Sequence, residues 1–283
     1  MNTKKQAIIL VGEAIDSWLT AVKRSRSSCT YSGYKSSVRH FAPYLFKNLA
    51  EFTRKDALDM LESLPTSLNP NSVRAKRIVW HTFFEWAIDI YELDMANPFK
   101  KMKLLPKKRP IERFFWTPDQ VNLILDHAMD AEHRLFYAMM AFNGLRFSEA
   151  ARFRWDYIRD GWLTFNGKGN IKGRIPLCPK LRDELSRFTG FSAFPSTGYI
   201  FARKFHESHE NEALKKLCKG LDMKFDGVAH CHRFRHSFAS NALHAGANIA
   251  VISKLLRHSN INITCSHYLH ISDSDMEETL RML

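Results

Sequence analysis

Arg146, then His232, Arg235 and His236, then His258 and Tyr268 follow one another through the second half of the chain. Residues of these types suit a site that holds one phosphate beside one phenol. A phosphodiester resists attack because its anionic oxygens repel a nucleophile, so catalysis needs fixed cationic or hydrogen-bonding groups on the oxygens that gain charge. Arginine fits, because its planar fork stays charged and can hold two phosphate oxygens at once. Arg146 and Arg235 are the candidates. A phenol with an ordinary pKa of about 10 becomes a nucleophile when a base or positive charge stands next to it. Tyr268 fills that place.

The segments around these residues resemble the tyrosine recombinase, or phage integrase, family. Asn143-Gly144-Leu145-Arg146-Phe147-Ser148-Glu149 is similar to its Thr-Gly-Leu-Arg-x-Ser-Glu box. His232-x-x-Arg235-His236 resembles its His-x-x-Arg-His box, and Leu255-Leu256-Arg257-His258-Ser259 through Tyr268-Leu269-His270 its Leu-Leu-Gly-His-Ser…Tyr-x-His box. Between them, the run from Gly167 to Leu177 resembles the hairpin that supplies the family's lysine, which puts Lys168 in that position. The resemblance covers most of the chain, with three boxes in family order.

What this resemblance implies is a DNA recombinase that needs no metal and no cofactor. Tyr268 would attack a DNA phosphate, form a 3′-phosphotyrosyl link and release a 5′-hydroxyl; a second 5′-hydroxyl would reverse the step. Arg146, Arg235 and His232 would hold the non-bridging oxygens, with His232 also exchanging the tyrosine proton. Lys168 would protonate the leaving oxygen as general acid, and His258 would donate to the transition-state phosphate. Glu149 and His236 read as supporting residues. The fold implied is mainly α with a small β-sheet, in two domains that clamp duplex DNA. Two protomers would occupy one site and four would join two sites, with the tail 272–283 contacting the neighbouring protomer. Two other readings share the chemistry or the fold: a non-cleaving accessory DNA-binding protein, and a relaxing enzyme of the type IB topoisomerase kind.

Two departures from the family pattern stand out. Ten positions separate His258 from Tyr268, where nine are usual, which predicts a local bulge or an extra turn before the tyrosine. Arg257 stands where a glycine is usual, replacing a residue that adopts left-handed backbone easily and adding a cation close to the DNA. His230, His232 and His236 also admit a zinc-site reading, since His232 and His236 lie four apart on one helix face. Arg233 and Arg235 between them would repel a cation, and no well-spaced fourth ligand follows.

Composition agrees with a nucleic-acid partner. The 283 residues carry a formal charge of +13, with 45% hydrophobic and 25% charged residues, enough apolar surface for a proper core. Residues 1–110 hold 19 Lys/Arg against 10 Asp/Glu, and residues 111–283 hold 23 against 19, so the N-terminal part is the more basic. The five scattered cysteines contain no Cys-x-x-Cys and suit a reduced compartment. With neither a signal peptide nor an apolar span in the sequence, a cytoplasmic protein is expected. At this length, no added N-terminal arm-binding domain is expected.

The elements that must position the site read as follows. Residues 1–98 form a helical DNA-binding domain, with helices expected over 13–22, 30–46, 53–64 and 71–93. On the last, Arg74 and Arg77 accompany an aromatic stripe through Trp80 and Phe84, a basic face suited to phosphates. Residues 99–113 form a linker in which Lys100, Lys101, Lys103, Lys107, Lys108 and Arg109 are candidate backbone contacts. Residues 114–283 form the catalytic domain. It opens with a capping box at Thr117 and Gln120, carries strands around Trp162–Phe165 and Arg174–Leu177, and closes with a capped tail helix from Ser274. Lys172, Arg174 and Arg257 are its candidate DNA contacts.

Overall fold

A computed structural model of the chain describes residues 8–100, 102, 114–166, 172–191, 193–225, 227–258 and 260–268. The described chain is mainly helical with one three-stranded antiparallel sheet. It divides into two compact units, Met1–Ile111 and Glu112–Leu283. Among the described residues no helix is long and apolar enough to cross a membrane. Lys101, Lys103, Lys107, Lys108, Arg109, Lys168 and the tail 272–283 lie outside the described residues.

In the first unit, α1 (Val11–Ser25), α2 (Ser28–Ser37), α3 (Arg54–Glu62) and α4 (Pro70–Ile90) surround a core of Trp18, Phe41, Phe52, Trp80, Phe83 and Phe84. Local capping sets two of the starts. The Thr53 hydroxyl accepts from Asp56 N while the Asp56 carboxylate accepts from Thr53 N at 2.7 Å, and the Asn69 side chain accepts from Asn71 N behind Pro70. The single helix expected over 30–46 divides instead: α2 ends at Ser37 and Val38–Tyr44 continues as a 3₁₀ helix. At the junction the Ser37 carbonyl accepts the Trp80 indole N–H at 2.9 Å. Pro43, with no N–H to donate, prevents an α-helix from resuming.

The second unit opens with α5 (Pro118–Asp126), capped reciprocally by Thr117 and Gln120. Its central helix α6 (Ala131–Asn143) is buried along most of its length and packs against α8 (Pro179–Thr189) and α10 (His232–His244). The short α7 (Phe147–Ala150) follows α6 closely. Strands β1 (Ile158–Arg159), β2 (Trp162–Asn166) and β3 (Lys172–Pro176) lie in that order, with Phe165 opposite Gly173 and Asn166 opposite Lys172. At two residues, β1 is too short to display an alternating pattern, and the sequence gives no sign of it. Helices α9 (Glu207–Gly220), α11 (Ile249–Leu255) and α12 (Ile261–Tyr268) complete the unit. Of the segment expected to carry a bulge or an extra turn before Tyr268, residues 261–268 are one continuous helix, without a bulge among them.

Candidate active site

The site grows from the end of α6. Gly144 stops that helix in the left-handed conformation, at φ 60°. A Cβ there would come within 2.8 Å of the Phe238 ring and 3.0 Å of Leu256, so only glycine lets the chain turn so close to α10 and α11. Two residues later Arg146 caps α7, and its backbone N–H donates to Glu149 Oε2 at 2.8 Å. Its Nη1 donates to Glu149 Oε1 at 2.8 Å and its Nη2 to the Arg257 carbonyl at 3.1 Å. Asn143, one residue before the turn, donates to the Pro176 carbonyl at 2.7 Å and accepts from Cys178 N at 3.0 Å. This fastens the end of β3 to the end of α6.

Helix α10 supplies the next residues. On a helix, His232, Arg235 and His236 share a face, while Arg233 points away from it. Arg233 serves the fold: its Nη1 donates to the Phe114 carbonyl and its guanidinium carbon lies 3.8 Å from the centre of the Phe114 ring. Arg235 is 2% exposed, and its two η nitrogens donate to the carbonyls of Gly144 and Leu256. Charge-assisted bonds of this kind are worth about 1.5–3 kcal/mol each. Arg235 thereby ties the turn before Arg146 to the turn before His258. His236 is buried and His232 stands exposed at the first turn of α10.

The last segment joins this centre through the turn at 256–258. Arg257 adopts φ 55°, the left-handed backbone that a glycine would take without penalty and that costs a residue with a Cβ about 1–2 kcal/mol. Instead of presenting a cation outward to DNA as expected, its guanidinium turns inward and the side chain is 13% exposed. Nη2 pairs with Glu149, Nη1 donates to the Leu255 carbonyl at 2.8 Å, and the guanidinium carbon lies 4.1 Å from the centre of the Phe165 ring. Its buried Nε finds no partner among the described residues, which costs about 1–3 kcal/mol more. Arg146, Glu149 and Arg257 thus form a closed ring. Within it burial works to raise the Glu149 pKa, but the Arg257 charge and the hydrogen bonds from Arg146 outweigh burial and hold the carboxyl below the ordinary glutamate range. Burial likewise lowers the Arg257 pKa.

His258 is half-buried, and its Nδ1 lies 2.8 Å from Thr264 Oγ1 on α12. Tyr268 is the last residue of α12, four positions beyond Thr264. Its side chain lies outside the described residues, as does that of Lys172. Among the remaining candidates, Arg174 is exposed with its guanidinium 4.6 Å from the centre of the Trp162 ring, and Lys100 is exposed. In the first unit Arg74 and Arg77 are half-buried, and Arg77 Nη2 donates to the Phe99 carbonyl at 2.5 Å rather than standing free on the helix surface. Sequence reasoning missed three contributors: Asn143, Thr264 and the inward role of Arg257. A polar side chain closing the apolar run Leu135–Phe142 was the available sign for Asn143.

The convergent set is two arginines buttressed by one carboxylate, with histidines on two neighbouring segments, a cationic and hydrogen-bonding surface suited to an anionic group. Residues 115–275 match the family model described as the phage integrase family. A tyrosine recombinase of Thermosipho africanus (strain TCF52B) is 27% identical over 285 residues, covering 96% of this chain and 98% of that one. A tyrosine recombinase XerC of Staphylococcus aureus (strain JH9) is 24% identical over 273 residues, 91% of each. Among solved structures, a lambda integrase dimer bound to a COC′ core site aligns with a TM-score of 0.77 at 17% identity, covering 95% of this chain and 80% of that one. The Tn1549 transposon integrase in complex with a circular intermediate DNA aligns at 0.72 and 14%, covering 98% and 100%.

Proposed function

The chain belongs to the phage integrase family and is a tyrosine-type site-specific DNA recombinase, and we propose that it cuts and rejoins duplex DNA with Tyr268 as nucleophile. The observation that carries this reading is the binding of the turns before Arg146 and His258 to one buried arginine, Arg235, since it gathers the three boxes at one point. In the forward step the Tyr268 oxygen attacks phosphorus as the P–O bond to the 5′-oxygen breaks. His232 takes the phenolic proton and Lys168 gives one to the departing 5′-oxygen, leaving a 3′-phosphotyrosyl ester. Arg146, Arg235 and His258 stabilise the charge gathering on the non-bridging oxygens. Glu149 and His236 hold these groups in place. Attack by a second 5′-hydroxyl runs the same transfers in reverse and joins the new strand.

The partner is double-stranded DNA. Residues 1–98 serve as a second DNA-binding domain, and the cations of 99–113, with Arg74, Lys172 and Arg174, supply phosphate contacts whose strength falls with salt. Two protomers on one site and four across two sites, linked by the tail 272–283, form the working assembly. Covalent trapping tests the reading. Wild type incubated with nicked suicide duplexes carrying a site selected from random DNA is expected to form an adduct that resists denaturing gel electrophoresis and maps to Tyr268. Tyr268→Phe is expected to bind the same duplex and form none. Tight, specific binding by wild type without any adduct would make the chain an accessory DNA-binding protein, and relaxation of plasmids lacking the site would make it a topoisomerase.

A further inference from the structure

The backbone of His258 is fastened on several sides. Arg257 turns left-handed, the His258 N–H donates to the Ser253 carbonyl at 3.1 Å, and Arg146 and Arg235 hold the carbonyls of Arg257 and Leu256 just before it. Two freedoms remain: the rotation of the imidazole, and which of its nitrogens carries the proton. Helix α12 meets both. The Asn260 side chain accepts from Asn262 N at 2.9 Å at the start of that helix. One turn in stands Thr264, 0% exposed, with Oγ1 2.8 Å from His258 Nδ1.

Other helical threonines of this chain bond differently. The hydroxyls of Thr20, Thr82 and Thr189 each donate to the carbonyl four residues earlier, a common choice on a helix. Thr264 lies on a helix too, yet among the described residues the partner of its hydroxyl is His258 Nδ1. A buried hydroxyl carries a hydrogen that needs an acceptor. Nδ1 can accept only when it bears no proton, which puts the proton of a neutral imidazole on Nε2. We propose that Thr264 is a positioning residue for His258: its hydroxyl donates to Nδ1, fixes the ring and makes Nε2–H the donor to the scissile phosphate. The inference rests on the reading of His258 as a phosphate donor. The charged and titratable groups on the elements around this turn are Arg146 and Glu149 at α7, Arg235 and His236 on α10, Lys254 on α11, Cys265 on α12 and Arg257 itself. The three arginines at the centre supply the positive charge, and His258 adds a neutral hydrogen-bond donor that works without a second proton.

Two measurements test this, and the first needs no change at Thr264. In wild type labelled with ¹⁵N-histidine, two-bond nitrogen–proton spectra report which nitrogen of a neutral ring holds the proton, with His258 identified by the signal lost in His258→Gln. Above the ordinary histidine value of about 6.5, His258 is expected to show Nε2–H; a proton on Nδ1 overturns the proposal. The second compares cleavage of suicide duplexes by wild type, Thr264→Ser and Thr264→Val. At about pH 8, Thr264→Val, which keeps the shape and loses the hydroxyl, is expected to cleave roughly 10- to 100-fold more slowly than wild type, the scale of one misdirected donor. Thr264→Ser, which keeps the hydroxyl, should stay within about threefold. At about pH 5.5 an imidazolium carries Nε2–H whatever faces Nδ1, so the Thr264→Val deficit, taken against wild type at the same pH, should shrink to about fivefold or less. A packing defect would persist. An equal Thr264→Val deficit at the two pH values, or none at the higher one, overturns the proposal. Wild type that forms no adduct at either pH overturns the recombinase reading, and the spectrum, which requires no cleavage, tells that failure from this one.

Discussion

Replacing Glu149 by glutamine tests the ring of charges that sets Arg146. The carboxylate accepts from Arg146 N, Arg146 Nη1 and Arg257 Nη2, and its side chain is 21% exposed against 13% for Arg257. A glutamine keeps one acceptor oxygen and sets an NH₂ group, which only donates, against at least one of the two guanidinium groups. At least one charge-assisted bond is lost, worth about 1.5–3 kcal/mol, and the Arg257 cation loses its counter-charge, a change worth about 3–5 kcal/mol when fully buried. With the partial exposure of both groups, Glu149→Gln is expected to destabilise the protein by about 2–4 kcal/mol at pH 7. The pH dependence follows from the depressed carboxyl pKa. Stabilisation by the ionised carboxylate is complete above the ordinary glutamate value of about 4.3 and disappears as pH falls through the lower folded-state value. Urea unfolding of wild type and variant should therefore differ most at pH 6–8 and converge on acidification below about pH 4. Cleavage should fall about 100-fold as Arg146 loses its orientation. A difference under about 1 kcal/mol at pH 7, or one that persists unchanged at pH 3, would refute the argument that this ion pair governs the ring.

Two further perturbations probe the frame around it. Gly144→Ala places a Cβ in left-handed backbone against Phe238 and Leu256, and should cost about 2–4 kcal/mol by adding backbone strain to overpacking; a urea midpoint indistinguishable from wild type would contradict that geometry. Native thiol labelling near pH 8, followed by mass spectrometry, should modify exposed Cys29 first. Cys218 should resist, its thiol pushed up to about 11 by burial, and so should Cys231, raised by burial and by nearby Glu210. Labelling of Cys231 as fast as Cys29 would show that the end of α10 opens readily.

Much of this protein is written locally. Thr53 with Asp56 and Thr117 with Gln120 cap their helices through groups three residues apart, so short-range hydrogen bonding makes them legible without any knowledge of the fold. The spacing of His232, Arg235 and His236 likewise declares a shared face once a helix is granted, and family resemblance joins that face to Arg146 and the segment from His258 to Tyr268. What the chain alone left undecided are pairings between distant segments. The hydrogen bond at the Ser37 junction comes from a tryptophan 43 residues away, and the anchoring of the hairpin on Asn143 spans 33 and 35 residues. Arg257 shows the difference most plainly. By composition it is one more cation on a basic protein, free to face DNA; only the packing of the His258 turn against Glu149, 108 residues earlier, and against Phe165 turns it inward. A guanidinium goes wherever a carboxylate, a carbonyl and an aromatic face converge, and that convergence is set by the tertiary fold.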